Sequence, residues 1–141
     1  MLTMSSERSK PIARRYFEAY ETGDLDAVME FIAPNYVLHP GGGEPLNFDE
    51  RKRDEMMFFS AFSSIQAVVE DQIAEGDKVV SRITMYCTHA GEYQGIPATG
   101  KRIVIPYIDI IVFKAGKIIE EWVEYDTANI LKQIKASKNK G

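Results

Sequence analysis

The feature that most constrains this chain is the pattern of its back half. Apolar residues recur at every second position through four long stretches, Ile65–Ala74, Lys78–Ala90, Lys101–Lys114 and Lys117–Tyr125. Only short connections join them: a turn at Glu75-Gly76-Asp77, a loop from Gly91 to Gly100 and a tight turn at Ala115-Gly116. Parallel strands need a crossover of about a dozen residues or more, usually helical, and no helical stretch lies between these strands. The back half therefore predicts a meander of long antiparallel strands.

The front half has the other period. Ile12, Tyr16, Phe17 and Tyr20 follow the three-and-four spacing of an amphipathic helix, with Ser5–Ser6 as its cap and Gly23 as its stop. Asp24 caps a second short helix carrying Leu25, Val28, Met29, Phe31 and Ile32, which Pro34 ends. Asn35 to His39 reads as a short strand, and a third helix runs from Asp49 to about Phe62. Asp126 caps a last helix that reaches Ile134. Helices followed by a strand meander give an α+β fold, a curved antiparallel sheet wrapped as a cone around three N-terminal helices, with a short C-terminal helix. With 141 residues this is one domain, expected over 1–136, with a flexible lysine-rich tail at 137–141.

Composition narrows the function. The net charge is −4, and four of the 17 basic residues are Lys132, Lys135, Lys138 and Lys140, so the rest of the chain is more acidic still. A body of that charge lacks the basic face that nucleic-acid binding needs. No apolar run approaches the roughly 20 residues that span a bilayer, and the first ten residues have no signal-like apolar segment. A single cysteine, Cys87, allows no internal disulfide and reads as a small buried hydrophobe, so the protein is expected to be cytoplasmic. Gly41-Gly42-Gly43 lacks the Lys-Ser or Lys-Thr of a P-loop, and no dinucleotide fingerprint, nucleophile elbow or His-Glu-x-x-His zinc motif is present. The expectation is chemistry without cofactor or metal, resting on carboxylates, histidines and tyrosines.

Two spaced segments carry a family resemblance. Thr88-His89-Ala90-Gly91 through Gly95-Ile96-Pro97 to Thr99-Gly100-Lys101 resembles the THxGxxxGIPxTGK segment of SnoaL-like polyketide cyclases. Ile108-Asp109-Ile110, then Gly116-Lys117-Ile118 through Glu120-Glu121-Trp122 to Asp126, resembles that family's IDIxxFxxGKIxEEWxxxD ending. The resemblance implies the cone of the nuclear transport factor 2-like superfamily, frequent homodimers, and intramolecular aldol ring closure without cofactors. It also implies that Asp126 is the acid/base. Ketosteroid isomerases, epoxide hydrolases and non-catalytic binding modules share the superfamily and stand as alternatives.

Asp126 suits that role if an apolar cavity raises its pKa, and it also suits a plain helix cap. His89 and His39 are candidate proton shuttles or carbonyl polarisers, or hydrogen-bonded structural histidines. Asp109 stands in the apolar run Tyr107–Phe113, where a charge must be paired or neutralised, and it resembles the protonated aspartate of ketosteroid isomerases. Its facing depends on the next hairpin. A two-residue turn at Ala115-Gly116 puts Asp109 opposite Trp122 and on the face of Asp126. A three-residue loop moves Asp109 to the other face and leaves Asp126 and Trp122 with Ile108, Ile110 and Val112, the drier and preferred arrangement. Tyr16, Tyr20, Tyr107 and Trp122 are expected to line a slot for a small hydrophobic carbonyl compound, or to be core. Arg82 reads as an outward salt-bridge partner, and the run Arg51-Lys52-Arg53 as a solvated helix face. A homodimer through the apolar sheet face is the expected assembly.

Overall fold

The computed structural model describes residues 6–136. Helix α1 (Ser6–Glu18) runs on into a 3-10 turn, Ala19–Thr22, and stops at Gly23, whose φ of 70° suits a residue without a side chain. Asp24 caps α2 (Leu25–Met29) by accepting from the backbone N of Asp26 at 3.0 Å. That helix ends earlier than its apolar pattern predicts. Ile32 pairs with Ile118, and the N–H of Ile118 donates to Phe31 O at 2.8 Å, so strand β1 covers Ile32–Pro40. Tertiary pairing here overrides helical spacing.

Helix α3 (Phe48–Ala61) opens on a capping box: Asn47 and Glu50 each bond the other's backbone N–H at 2.9 Å. Strands β2 (Phe62–Glu75), β3 (Lys78–His89), β4 (Arg102–Lys114) and β5 (Lys117–Tyr125) follow, then α4 (Thr127–Lys135). Ser5 and the tail expected at 137–141 lie outside the described residues.

The sheet order is β1-β5-β4-β3-β2, a curved open sheet. The four long strands form the expected antiparallel meander, whereas β1 adds in parallel at the β5 edge. The whole stretch from α3 to β4 serves as the crossover that parallel pairing requires. Helix α1 packs across β2 and β3 on one face, burying Ala13, Tyr16 and Phe17 in the core that also holds Ile83, Ile111 and Ile118. Helix α4 closes an open stretch of β4, where the Gln133 amide accepts from Val104 N at 2.9 Å and donates to Val104 O at 2.7 Å.

The β4–β5 hairpin fixes which side chains face the helices. Its turn has two residues, Ala115 (φ 52°) and Gly116 (φ 78°), between the Lys114–Lys117 pair. A bulge between Val112 and Phe113 on one strand and Ile118 and Glu120 on the other then shifts the register by one. Asp109 therefore lies opposite Val123 and Ile110 opposite Trp122. This is the register preferred from the sequence, reached by a bulge rather than a longer loop. The dry face is nevertheless the Asp109 face: Asp109 and Glu121 are each 1% exposed, while Ile108 on the other face is 48% exposed. The helices cover the first face and leave the second bare.

Candidate active site

A pocket of about 390 Å³ opens between α3, the loop after β3 and the end of β5. Its walls are apolar, with Leu38, Phe58, Phe62, Met85, Ile105 and Ile130 among them. Its buried part is polar and is built by five elements. Tyr16 and Tyr20 come from α1 and the 3-10 turn, Arg51 and Glu55 from one face of α3, Tyr107 and Asp109 from β4, and Glu121 from β5. Tyr36 reaches the same group from β1.

One cation organises these groups. Arg51 Nη2 donates to both Tyr16 Oη and Tyr20 Oη at 2.7 Å. It lies 3.4 Å from Glu55 Oε2 and 3.9 Å from Glu121 Oε1. Tyr20 Oη donates to Glu55 Oε2. Tyr16 Oη donates to Glu121 Oε1 at 3.0 Å, and Tyr36 Oη donates to the same oxygen at 2.6 Å. Burial pushes all three tyrosine hydroxyls well up, so they serve as donors and not as bases. Burial also raises Glu55, against the pull of Arg51 and the hydrogen bond from Tyr20.

Asp109 differs from its neighbours. Burial raises its carboxyl well above the usual carboxylate range; the Glu121 carboxyl beside it and a hydrogen bond to that group raise it further, and Arg51 only partly opposes them. Its Oδ1 is buried and has no hydrogen-bond partner. A buried polar atom without a partner is uncommon; Arg51 Nε and His89 Nε2 are the others among the described residues. Asp109 thus lines the pocket with a carboxyl that keeps its proton to higher pH than an ordinary aspartate, beside a Glu121 carboxyl that accepts from two tyrosines.

Of the sequence candidates, the structure brings Tyr16, Tyr20, Tyr107 and Asp109 to this pocket. It places the other four elsewhere. Asp126 is exposed and caps α4, its Oδ1 accepting from Asn129 N at 3.0 Å. Trp122 and His39 stack on the uncovered face of the sheet, ring centres 4.9 Å apart and 13° from parallel, and His39 Nε2 meets Glu120 at 2.7 Å. His89 is fully buried against Phe62, with Nδ1 held by Thr99 Oγ1 at 2.9 Å and by Thr99 N at 3.3 Å. Nδ1 accepts from Thr99 N, which leaves the ring hydrogen on Nε2. Cys87 is buried as expected, its thiol pushed up to about 11 by desolvation. Arg82 is exposed on β3.

Arg51 corrects the reading of Arg51-Lys52-Arg53 as a solvated face. Lys52 and Arg53 are exposed, but Arg51 is buried with Glu55 one turn on. Arg51, Glu55, Tyr36 and Glu121 are the site residues the sequence reading missed. The available signal was the four-residue spacing of Arg51 and Glu55 on one helix face.

The comparisons agree with this architecture. Residues 10–134 match the family described as SnoaL-like polyketide cyclase. The chain belongs to that family. Among curated relatives, the aklanonic acid methyl ester cyclase of Streptomyces peucetius is 34% identical over 81% of this chain and 83% of its own. The aklanonic acid methyl ester cyclase of Streptomyces galilaeus is 32% identical over 79% and 81%. Among solved structures, AclR of Streptomyces galilaeus, a proposed hydroxylase, superposes with a TM-score of 0.85 at 25% identity, covering 92% of this chain and 97% of that one. No helix among the described residues is long and apolar enough to cross a membrane.

Proposed function

We propose that this SnoaL-family enzyme closes a ring in a small carbonyl compound by an intramolecular aldol reaction without a cofactor, and that Asp109 is the group that moves the proton. The observation that carries this is the buried Asp109 carboxyl in the pocket lining, unpartnered at Oδ1 and raised in pKa by burial and by the neighbouring Glu121. Oδ1 takes a proton from the carbon next to a carbonyl while the hydrogen on the other oxygen passes to Glu121. The resulting enolate carbon attacks a second carbonyl of the same molecule, forming one carbon–carbon bond. Oδ1 returns its proton to the new alkoxide and Glu121 returns the other to Asp109. No atom is gained or lost, so no co-reactant is needed. Both steps are proton transfers for which a carboxyl of raised pKa is suited at neutral pH.

Asp126 was the expected acid/base, and this reading moves the role because its carboxylate is spent on the helix cap and does not line the pocket. The relatives' substrate, aklanonic acid methyl ester, is the first compound to test. Turnover is expected, with Asp109→Asn slower by about 100-fold or more in kcat/KM and Asp126→Asn close to wild type. A dead Asp126→Asn beside an active Asp109→Asn overturns the assignment.

The pocket's volume and apolar walls support its use as a ligand cavity. The bare sheet face, where Val104 and Ile108 remain 38% and 48% exposed, supports a homodimer through that face. The lone buried thiol of Cys87 fits a cytoplasmic setting.

A further inference from the structure

The tyrosine hydroxyls around Arg51 are committed: Tyr16 and Tyr36 donate to Glu121, and Tyr20 donates to Glu55. Tyr107 is not. It lines the same pocket, and its hydroxyl has no hydrogen-bond partner among the described residues. A tyrosine hydroxyl taken out of water usually finds one. Desolvation pushes this hydroxyl well above the ordinary tyrosine range, and the charges of Asp109 and Glu121 push it further. It therefore keeps its hydrogen and is a donor.

The strand fixes where this donor stands. Tyr107 and Asp109 are two residues apart on β4, so their side chains share the face that the helices cover. That step is about 6.5–7 Å along a strand, a gap that one carbonyl group and the carbon beside it can bridge. The Tyr107 ring meets Phe17 of α1 edge-on, ring centres 6.3 Å apart and 74° from parallel, a contact that leaves the hydroxyl unspent. Asp109 Oδ1 is unspent as well. The Arg51 guanidinium, by contrast, is already shared among Tyr16, Tyr20, Glu55 and Glu121.

We infer that Tyr107 holds the substrate's carbonyl oxygen: its hydroxyl donates to that oxygen while Asp109 takes the proton from the carbon beside it. The inference rests on the ring closure proposed above and adds the residue that meets the charge this step creates. As the carbon–hydrogen bond breaks, its electron pair forms the carbon–carbon double bond of the enolate, and the carbonyl pair moves onto oxygen. The proton goes to Asp109, and the tyrosine hydrogen stays on Tyr107. The oxygen becomes a stronger acceptor during that step, so the bond tightens where the barrier lies. Tyr107 is then a catalytic residue.

Two probes of nearly one shape test this on the full chain: acetylnaphthalene, whose carbonyl oxygen only accepts, and isopropenylnaphthalene, which has a methylene in that oxygen's place. The ratio of their affinities is measured in wild type and in Tyr107→Phe, so that their different hydration cancels. The variant keeps the ring, and the hydrocarbon's affinity reports an intact pocket. The ratio is expected to shift toward the hydrocarbon by about tenfold, the worth of one hydrogen bond. Exchange of the acetyl methyl hydrogens in heavy water, followed by NMR, is expected to slow by about 100-fold or more. In the wild type the infrared carbonyl stretch of the bound ketone should lie below its position in a hydrocarbon solvent. An affinity ratio equal in the two proteins overturns the inference whatever the exchange rate, and so does an unshifted carbonyl stretch in the wild type. A shifted ratio with no exchange by the wild type keeps Tyr107 as the oxygen's partner and overturns the proton transfer proposed above. A wild type that binds neither probe removes the pocket reading and this inference with it.

Discussion

Asp109 and Glu121 are diagonal neighbours across β4 and β5, both buried on the one face of the sheet that the helices cover. Asp109 lies opposite Val123 and Glu121 opposite Ile111, so each carboxyl stands two residues along from the other's partner. Two buried carboxyls this close do not both ionise readily, and one proton stays with the pair. That relationship bears on the stability of the fold and on the proton path proposed above.

The sign of the pH dependence follows from the raised Asp109 pKa. A carboxyl whose folded pKa exceeds its unfolded value binds its proton more tightly when folded. Its favourable contribution is complete below about pH 4 and is lost as pH rises toward the folded pKa. Asparagine cannot ionise and carries no such loss. Asp109→Asn is therefore expected to melt at or above the wild-type temperature at pH 7, with the difference shrinking as pH falls toward 4. A variant that melts lower at neutral pH and recovers nothing in acid contradicts the neutral-carboxyl account.

Arg51 is the cation on which three elements depend. Its replacement by Met leaves Glu55 and Glu121 buried with no positive partner. A loss of about 3–5 kcal/mol is expected from urea unfolding, the range for breaking one side of a buried pair. Adding Glu55→Gln to that variant should recover part of the loss. A loss below about 1 kcal/mol, the usual worth of an exposed pair, would show that the cluster is solvated.

Gly91 locks the pocket loop to α3. Its N–H donates to Ala61 O at 3.0 Å, and a Cβ at this position would stand 2.1 Å from the backbone oxygen of Ser60. Backbone has little room to yield, so Gly91→Ala should cost about 1–3 kcal/mol, the usual range for overpacking, and loosen ligand binding with it. Gly95→Ala adds a side chain into open space, at a strained φ of 79°, and should leave the loop anchored. Thermal melts and probe affinities of the two variants separate these cases.

Much of this fold is legible in the sequence because it rests on local rules. The caps at Asp24 and Asp126, the stop at Gly23 and the bounds Lys117–Tyr125 follow from turn chemistry and period-two spacing. The parallel edge strand is not legible, since Ile32 and Ile118 are brought together only by the finished sheet. The site splits in the same way. Asp109 stands out as a carboxyl in an apolar run, and Tyr16 and Tyr20 as aromatics one turn apart. Glu121 follows Glu120 in an ordinary-looking acidic pair, and only the bulge decides which of the two points inward. Arg51 hides in a basic run whose other members are solvated. One extra residue in a strand carries as much weight for the site as the motif around it.

The most direct measurement is the carboxyl titration of the purified protein by NMR, with the Asp109 signal assigned by its disappearance in Asp109→Asn. The account predicts that Asp109 holds its proton well above pH 4, the ordinary aspartate midpoint, and that Glu121→Gln brings its midpoint down. An Asp109 that titrates near 4 in the wild type, unchanged by Glu121→Gln, would contradict the coupled pair and with it the proposed proton path.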